Sequence, residues 1–328
     1  MTNKQAPTMK DVAREAGVSL GTVSKVVNGI PVGESHRKRV EAAMKKLHYQ
    51  VNHYARGLKT NKTNCIALVM PSLRNPFFAA LVDALTTSLM KAGYRAFLMT
   101  TNFDSVTENH CFTLAQQNKI DGIIALTYSR DMEINDSVPI VTIDRHFSNK
   151  IPCVSSDNYQ GGVMAAEKLI SLGCENLLFM RIGSNVHGEV EKRGFGFEIA
   201  CRMAGVRYQS LILEDGEQEE AIFRFLEEHI RDEKLAFDGI FCNTDTLALL
   251  VWEFLKSREI RVPQDVQIIG YDGITNFATG RYVCSTIVQP IPQMAEAAVR
   301  LLLNSENEQT AANIAIPVRY AFGGSTRE

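Results

Sequence analysis

Five neighbouring residues near the N-terminus combine side chains that can read the edges of DNA bases. They are Leu20, Gly21, Thr22, Ser24 and Lys25. A leucine side chain can contact a thymine methyl group, and hydroxyl and ammonium donors can reach acceptors on guanine in the major groove. This chemistry is non-covalent recognition. It requires that the residues lie together at the exposed end of a rigid element.

Two short helices joined by a tight turn are predicted to position these side chains. Thr8 and Asp11 have the spacing of a reciprocal capping box, which starts the first helix. Gly17 can turn the corner without a Cβ penalty, and Ser19 can cap the second helix. The pattern is typical of a helix-turn-helix whose second helix meets base edges, although a plain structural hairpin can share it.

The charge distribution favours a nucleic-acid partner. Residues 1–60 contain eleven Lys and Arg against four Asp and Glu, a net charge of about +7. Because the whole chain carries −2, residues 61–328 carry about −9. A basic head on an acidic body matches the electrostatic footprint of a phosphate-binding domain. The alternative is that the basic residues only solvate helix faces.

Composition excludes several other classes of protein. There is no N-terminal apolar segment typical of an export signal, and no apolar run approaches the ~18 residues of a membrane span. The seven cysteines are an odd number without a CxxC pair, which is typical of reduced thiols in a cytoplasmic protein. No spacing is typical of metal ligands, so we expect neither a metal ion nor a cofactor.

From Cys65 onward, apolar strands alternate with amphipathic helices, and the pattern restarts near residue 160. This rhythm predicts parallel sheets with helices on both faces, in two similar lobes. Ligands of such sheets bind beyond the carboxyl ends of the strands. No GxGxxG opens a helix and no GxxxxGK[ST] occurs. The predicted fold class is a small all-α helix-turn-helix head plus an α/β body of two Rossmann-like lobes.

The order and spacing of short motifs resemble the lactose/galactose repressor family of bacterial transcriptional regulators over essentially the full length. The head and linker motifs are DVAREAGVS, TVSKVVNG, RVEAAMKKLHY and N-x-x-A-R-x-L. The body motifs are NPFF, IDR, SSDNYQGG, R-x-x-G-F, D-x-x-A, GYDG and QP. The resemblance implies a sequence-specific DNA-binding regulator, expected to be a repressor, whose operator binding is controlled allosterically by a small carbohydrate. It implies no catalytic residues.

The resemblance also implies a domain organisation, because the family's body is similar to periplasmic sugar-binding proteins. Three strands cross between the two lobes, and the ligand lies in the cleft between them. The expected DNA-binding domain spans residues 1–50 and the hinge helix 51–62. The expected N-terminal lobe comprises residues 63–158 and 291–321, and the C-terminal lobe 159–290 and 322–328. The crossings are expected near Asp157, Pro290 and Phe322.

Ten residues are expected to bind the ligand, and together they most resemble the ribose-binding branch. They are Asn75, Phe77, Phe78, Asp144, Arg145, Arg193, Thr244, Asp245, Asp272 and Gln289. Aromatic rings can stack on the apolar face of a sugar, while a carboxylate and a guanidinium can accept from and donate to its hydroxyls. Two alternatives remain: one phenylalanine lies simply in the core, and Asp144 with Arg145 forms a surface ion pair.

The DNA contacts implied by the resemblance come from the head and the hinge. They are Ser19, Leu20, Gly21, Thr22, Ser24, Lys25 and Asn28, followed by Asn52, Ala55, Arg56 and Leu58. Leu58 matches the family's intercalating leucine, which kinks the duplex when both subunits insert it. We therefore expect a homodimer on a pseudo-palindromic double-stranded operator. The helix Phe77–Lys91, with Leu81, Leu85 and Leu89, is the candidate for the subunit interface, with burial of these leucines in the core as the alternative.

The sequence departs from the family pattern at four positions. Gly21 stands where relatives carry a base-reading side chain, so we expect a relaxed or differently distributed base preference. Val51 stands where the linker usually has proline, and Gly33 replaces the usual cap of the third helix. Thr244 stands where ribose-type proteins usually carry asparagine, and Asn243 lies one residue earlier. This last change leaves the hydroxyl pattern of the ligand open.

Three other functions are alternatives to a sugar-controlled regulator. An enzyme could use paired carboxylates such as Asp245 and Asp272, but no base with an orienting partner is visible. A transport-type binding protein shares the body but has no use for a basic helical head. A regulator with a purine-type corepressor or a protein coeffector differs only in its effector. An Asp–Arg pair with aromatic rings suits a polyol better than a planar base.

Overall fold

The computed structural model describes residues 7–49, 63–127, 138–146, 150–183, 188–214, 219–304 and 313–328. The chain divides into two compact units, Met1–Thr63 and Asn64–Glu328. The predicted hinge contacts Asn52, Ala55, Arg56 and Leu58 lie outside the described residues.

Over the described residues 7–49 of the first unit, the chain forms a head of three helices. Its helices are α1 (Met9–Ala16), α2 (Leu20–Val27) and α3 (Glu34–Lys46). The predicted start of α1 is confirmed, because Thr8 and Asp11 form the reciprocal capping box. The tight turn after α1 is also confirmed, with Gly17 in the left-handed region at a φ of 59°. Completely buried valines from all three helices form the core of the head: Val12, Val23 and Val40.

The second unit contains seven α-helices and fourteen strands within the described residues. Its helices are α4 (Pro76–Lys91), α5 (Ser105–Gln117), α6 (Asn158–Ser171), α7 (Lys192–Ala204), α8 (Glu219–Glu228), α9 (Asp245–Ser257) and α10 (Ile291–Leu303). The strands up to the middle of the unit are β1 (Cys65–Met70), β2 (Arg95–Thr100), β3 (Gly122–Leu126), β4 (Ile140–Ile143), β5 (Cys153–Ser156), β6 (Asn176–Ile182) and β7 (Arg207–Leu213). The remaining strands are β8 (Ile230–Arg231), β9 (Lys234–Leu235), β10 (Gly239–Cys242), β11 (Gln267–Asp272), β12 (Thr286–Val288), β13 (Asn313–Ile316) and β14 (Arg319–Ala321).

Two six-stranded sheets define two lobes. The first sheet has the order β13-β5-β4-β3-β1-β2, and the second has the order β14-β12-β11-β10-β6-β7. All pairings in the first sheet are parallel. In the second sheet only β14 is antiparallel to its neighbour. The predicted α/β body with two similar lobes is therefore confirmed.

The chain crosses between the lobes three times. The first two crossings follow β5 and β12, and Asp157 and Pro290 occupy the N-cap positions of the helices that begin there. The third crossing lies between β13 and β14, ahead of the position expected near Phe322. Residues 319–321 thus join the sheet of the second lobe. Strand β13 ends at Ile316 because the next residue, Pro317, has no N–H to continue its hydrogen-bond ladder.

The core of the first lobe lies between its sheet and helices α4 and α10. Leu81, Leu85 and Leu89 of α4 are completely buried in this core. Their burial supports the alternative that these leucines belong to the core, because a side chain without exposed surface cannot contact a second subunit. A subunit interface on the exposed side of this helix stays a prediction. Within the described residues, no helix is both long and apolar enough to cross a membrane.

Candidate functional site

In the head, helix α2 presents its N-terminal end to solvent. Ser19 caps the helix by accepting a hydrogen bond from the backbone N–H of Thr22 at 3.1 Å. The side chain of Leu20 is 45% exposed, and Gly21 and Lys25 are also exposed. Val23 is fully buried on the opposite face and holds the helix against the head. The predicted base-reading residues thus share one accessible helix end.

The other predicted DNA contacts of the head form side-chain hydrogen bonds with one another, at or within α2. The hydroxyls of Ser19 and Thr22 lie 2.9 Å apart. The side-chain amide of Asn28 donates to the hydroxyl of Ser24 at 3.3 Å. These bonds fix the orientation of polar groups that a base edge or phosphate would meet. Leu20 lies in the first turn of α2 and Lys25 in its last turn, and both side chains are exposed.

In the body, a cleft of about 1030 Å³ lies between the two lobes and is lined by both. It lies beyond the carboxyl ends of the strands, as the sequence predicts. Nine of the ten predicted ligand-binding residues line it: Asn75, Phe77, Phe78, Asp144, Arg145, Arg193, Thr244, Asp272 and Gln289. The structure does not bring Asp245 to the cleft wall.

The first lobe contributes two phenylalanines at the start of α4. Asn75 caps this helix by accepting from the backbone N–H of Phe77 at 2.9 Å. The two rings lie 5.8 Å apart with an interplanar angle of 59°. Both Phe77 and Phe78 are buried in the lobe core and also line the cleft. The two roles predicted as alternatives are therefore combined in each ring.

Asp144 and Arg145 follow β4 directly. Each is only 8% exposed, so the alternative of a surface ion pair is wrong. Asp144 has a left-handed φ of 55°, and its Oδ1 has no hydrogen-bond partner among the described residues. Burial raises the pKa of Asp144 to about 6, although the charge of Arg193 opposes the shift. The carboxyl group is therefore a buried acceptor at the cleft wall.

In the second lobe, the guanidinium of Arg193 is held by three groups. Its Nε donates to Oδ1 of Asn158 at 2.7 Å, and its Nη1 donates to the backbone carbonyl of Asn243 at 2.6 Å. The group lies over the ring of Tyr271, 3.6 Å from the ring centroid. Such cation–π stacking with two charge-assisted hydrogen bonds fixes the orientation of the guanidinium.

Close contact between helices α6 and α7 explains why Arg193 can reach this position. A Cβ atom on Gly162 would lie 1.9 Å from the carbonyl oxygen of Arg193, and one on Gly196 would lie 2.0 Å from that of Tyr159. Only glycine allows such backbone approach. Gly194, Phe195 and Gly196 thus belong to a closely packed helix and not to a phosphate-binding loop.

Asp272 and Gln289 complete the polar wall of the second lobe. The side-chain amide of Gln289 donates to Oδ1 of Asp272 at 2.8 Å, and Arg193 Nη1 lies 3.9 Å from the same oxygen. Burial raises the pKa of Asp272 to about 8, against the charge of Arg193, and the nearby charge of Asp245 adds to the increase. At this separation, Arg193 only partly offsets the loss of water.

Asp245 lies behind this wall and is completely buried. It accepts from the backbone N–H of Ile274 at 2.7 Å, and the thiol of Cys284 lies 3.5 Å away. Its place at the cleft is taken by Asn243, whose Oδ1 has no hydrogen-bond partner among the described residues. Thr244 lines the cleft and caps α9 by accepting from the backbone N–H of Leu247.

Sequence reasoning missed several cleft residues. Arg181 and Glu191 form a largely buried ion pair at 3.5 Å on the second lobe. The signal was present, because Arg181 is the one charged residue in the otherwise apolar strand β6. Asn158, the first residue of α6, accepts a hydrogen bond from Arg193 and anchors it. Phe103 at the cleft mouth carries no motif that would identify it.

Two family models match the chain. Residues 63–322 match the family of periplasmic binding proteins and sugar binding domains of the LacI family, and residues 8–52 match the bacterial regulatory proteins of the lacI family. The chain is 33% identical to the sucrose operon repressor of Streptococcus mutans over 322 residues, which cover 97% of this chain and 98% of that protein. It is 33% identical to the ribose operon repressor of Bacillus subtilis over 331 residues, which cover 98% and 99%.

A solved structure extends the likeness to three dimensions. It is a periplasmic binding protein/LacI transcriptional regulator from Alkaliphilus metalliredigens, complexed with D-xylulofuranose. It superposes with a TM-score of 0.69 at 30% identity, covering 81% of this chain and all of that one. The relatives named here are regulators rather than enzymes. The chain belongs to the LacI family of bacterial regulatory proteins and combines the DNA-binding helix-turn-helix and the sugar-binding domain of that family.

Proposed function

We propose that the chain is a repressor whose binding to operator DNA is controlled by a small carbohydrate in the cleft. Four buried oxygens without hydrogen-bond partners among the described residues carry this proposal. One comes from the first lobe and three from the second: Asp144 Oδ1, Asn243 Oδ1, Asp272 Oδ2 and Gln289 Oε1. Each unsatisfied buried acceptor costs about 1–3 kcal/mol. The hydroxyls of a sugar are donors that can satisfy acceptors of both lobes at once and so favour closure.

The proposed ligand contacts are the nine cleft residues predicted from the sequence, together with Asn243. Phe77 and Phe78 offer apolar faces, and Arg145 and Arg193 offer guanidinium donors. Asp245 is assigned a supporting role behind Asp272. The neighbours' names support a sugar: two refer to sucrose and ribose operons, and the third is complexed with a pentulose. These comparisons give no support to a purine corepressor or a protein coeffector.

The proposed regulator is a cytoplasmic homodimer on a pseudo-palindromic operator. The recognition surface comprises Ser19, Leu20, Gly21, Thr22, Ser24, Lys25 and Asn28, with Asn52, Ala55, Arg56 and Leu58 in the hinge. Residues 1–50 form the DNA-binding domain and 51–62 the hinge. Ligand binding and operator binding are linked, so a sugar that weakens operator binding also binds less tightly to the operator complex.

Substitution of Arg145 tests the cleft assignment. The wild-type chain is screened by thermal shift against pentoses, hexoses, disaccharides, sugar phosphates and purines. A sugar present at ~100 times its Kd adds about 2.7 kcal/mol of stability. Arg145→Ala should abolish the shift and the sugar response of operator binding while leaving operator affinity intact. A response confined to purines would overturn the proposal.

Arg258 offers a matched control. It pairs with Glu227 on the surface of the second lobe, at 2.8 Å. Arg258→Ala removes an arginine of the same unit without touching the cleft, so the sugar response should be retained. If Arg145→Ala and Arg258→Ala behave alike, or if Arg145→Ala abolishes repression itself, the cleft assignment is wrong.

A further inference from the structure

The cleft has a second, outer region that the proposed contacts with one sugar ring do not use. Its polar wall is deep: Asp144, Arg193 and Asp272 are each at most 8% exposed. Other residues that line the cleft are exposed, and we call these the mouth: Arg74, Asn102, Phe103, Glu219, Thr246 and Glu253. Pockets of about 300–1,000 Å³ accommodate drug-sized ligands. A cleft of about 1030 Å³ therefore exceeds the needs of one pentose or hexose.

An aromatic ring is fixed at the mouth on the side of the first lobe. Phe103 lines the cleft and is 53% exposed. Asn102 and Phe103 both have a left-handed φ, 51° and 63°, which is uncommon for bulky residues. The turn is closed by the Asp104 N–H donating to the carbonyl of Thr101 at 3.0 Å, and Asp104 then caps α5. The turn thus defines the backbone position from which the Phe103 side chain projects.

The second lobe contributes residues of α9 to the same cleft. Thr246 and Glu253 are exposed there, and Leu250 is half-buried and lines the same cleft. An aromatic face and a leucine side chain provide apolar contact, and the hydroxyl, amide and charged groups around them provide hydrogen bonds. This combination fits a second sugar ring, which has an apolar C–H face and hydroxyls on its edge.

The charges at the mouth select against an anionic substituent. Arg74 is exposed on the first lobe, whereas Glu219 and Glu253 are exposed on the second. Behind them, Arg181 is already paired with Glu191. Two carboxylates against one guanidinium disfavour a phosphate group at this position. An uncharged glycosyl unit meets no such penalty.

We infer that the effector is an uncharged disaccharide or glycoside, with one ring at the deep polar wall and the other in an outer subsite. The outer subsite is formed by Arg74, Asn102, Phe103, Thr246, Leu250 and Glu253. This inference rests on the proposed function, because the inner ring occupies the site proposed there.

Calorimetric titration of the full chain tests the inference. The probes are glucose, fructose, galactose and ribose, the disaccharides sucrose, maltose, cellobiose and lactose, and glucose 6-phosphate and fructose 6-phosphate. We expect one disaccharide to bind at least 10-fold more tightly than either of its component monosaccharides. The sugar phosphates should bind no more tightly than the parent monosaccharides.

Phe103→Ala should reduce the affinity ratio of disaccharide to monosaccharide at least 5-fold. The matched control is Phe195→Ala, since Phe195 is similarly exposed, at 59%, but does not line the cleft. This control should leave the ratio unchanged. Tightest binding by a monosaccharide or a sugar phosphate, or an unchanged ratio in Phe103→Ala, would refute the outer subsite.

The two proposals fail in different ways. If a monosaccharide binds, Arg145→Ala abolishes that binding, and no disaccharide binds more tightly, the proposed function stands and only the outer subsite is wrong. If none of the sugars binds, or if Arg145→Ala retains full affinity, both are wrong.

Discussion

Asp144 and Asp272 are the two buried carboxyl groups that the lobes bring to the cleft from equivalent places. Asp144 follows β4 and Asp272 ends β11, and both have a positive φ, 55° and 127°. Non-glycine residues in such conformations persist where the surrounding structure dictates them, often at ligand sites. Each also has an oxygen without a hydrogen-bond partner among the described residues. The free protein thus holds backbone strain and unsatisfied acceptors at the same two residues.

The raised pKa values of these groups predict how stability depends on pH. Burial raises the pKa of Asp144 to about 6 and that of Asp272 to about 8, from an ordinary value of 3.8. The folded chain therefore retains protons that the unfolded chain releases near pH 4. The contribution of these two groups to the free energy of unfolding therefore falls as pH rises from about 4 to about 8. Asp272→Asn should raise the unfolding midpoint at pH 8 by a few degrees and flatten the pH dependence, as measured by calorimetry.

Asp265 is a control of opposite sign. It is an exposed acid whose pKa is lowered to about 2 by hydrogen bonds from Arg261, so its contribution is present above pH 4 and is lost as pH falls through about 2. Asp265→Asn should slightly lower the midpoint at pH 8. A lower midpoint for Asp272→Asn at pH 8 would contradict the argument.

Gly21 predicts a change in operator preference. A Cβ at this position would meet only the hydroxyl of Ser19, at an ordinary 3.7 Å, so a side chain can be added without refolding the head. Gly21→Gln should introduce a preferred base at one position of each half-site, worth about 1–3 kcal/mol of discrimination. Selection from a randomised operator library measures this preference. Gly21→Ala should keep the wild-type preference, and identical preferences for all three chains would exclude a base contact here.

At the scale of elements, the contact between α6 and α7 determines where Arg193 lies. Gly162→Ala would place a Cβ 1.9 Å from the carbonyl oxygen of Arg193, so the helices must separate. We expect a loss of roughly 3–5 kcal/mol of stability and loss of sugar binding, measured by thermal unfolding and calorimetric titration. Ser171→Ala at the exposed end of α6 should cost less than about 0.5 kcal/mol. A stable Gly162→Ala chain that binds sugar with wild-type affinity would show that the close approach is dispensable.

The sequence predicted the long elements well, because capping boxes and apolar periodicity act over neighbouring residues. Short strands such as β12 and β14 carry too few residues for a periodic signal. The pattern of Leu81, Leu85 and Leu89 identified an apolar face but could not identify its partner. That partner, α10, lies about 200 residues later in the chain.

The residues that line the candidate site could also be predicted in large part: nine of the ten predicted from the sequence line the cleft. Asp144 and Asp272, each at the end of a strand, line the cleft, whereas Asp245 faces the core and Asn243 faces the cleft. The direction of a side chain at a strand end depends on how the following helix leaves the sheet. This information lies in tertiary packing rather than in local sequence.

At the scale of the whole molecule, the separation of charge predicts different salt dependences for the two binding reactions. The first 60 residues carry about +7 and the remainder about −9. A head that makes 6–10 phosphate contacts loses about 10³–10⁵-fold in operator affinity between 50 and 200 mM salt. Affinity for an uncharged sugar should change less than 2-fold over the same range. Fluorescence anisotropy and calorimetry measure the two, and an operator affinity insensitive to salt would contradict the role of the basic head.

The third lobe crossing also bears on how the chain is made. Strand β5 pairs with β13, but Asn313 follows Ser156 by 157 residues. At about 5–20 residues per second, a ribosome needs roughly 8–30 s to synthesise that interval. During this time the nascent first lobe has an open sheet edge at β5, which invites pairing with other chains. Synthesis of β13 is therefore the event that covers the β5 edge, long after the other five strands of the first sheet have been made.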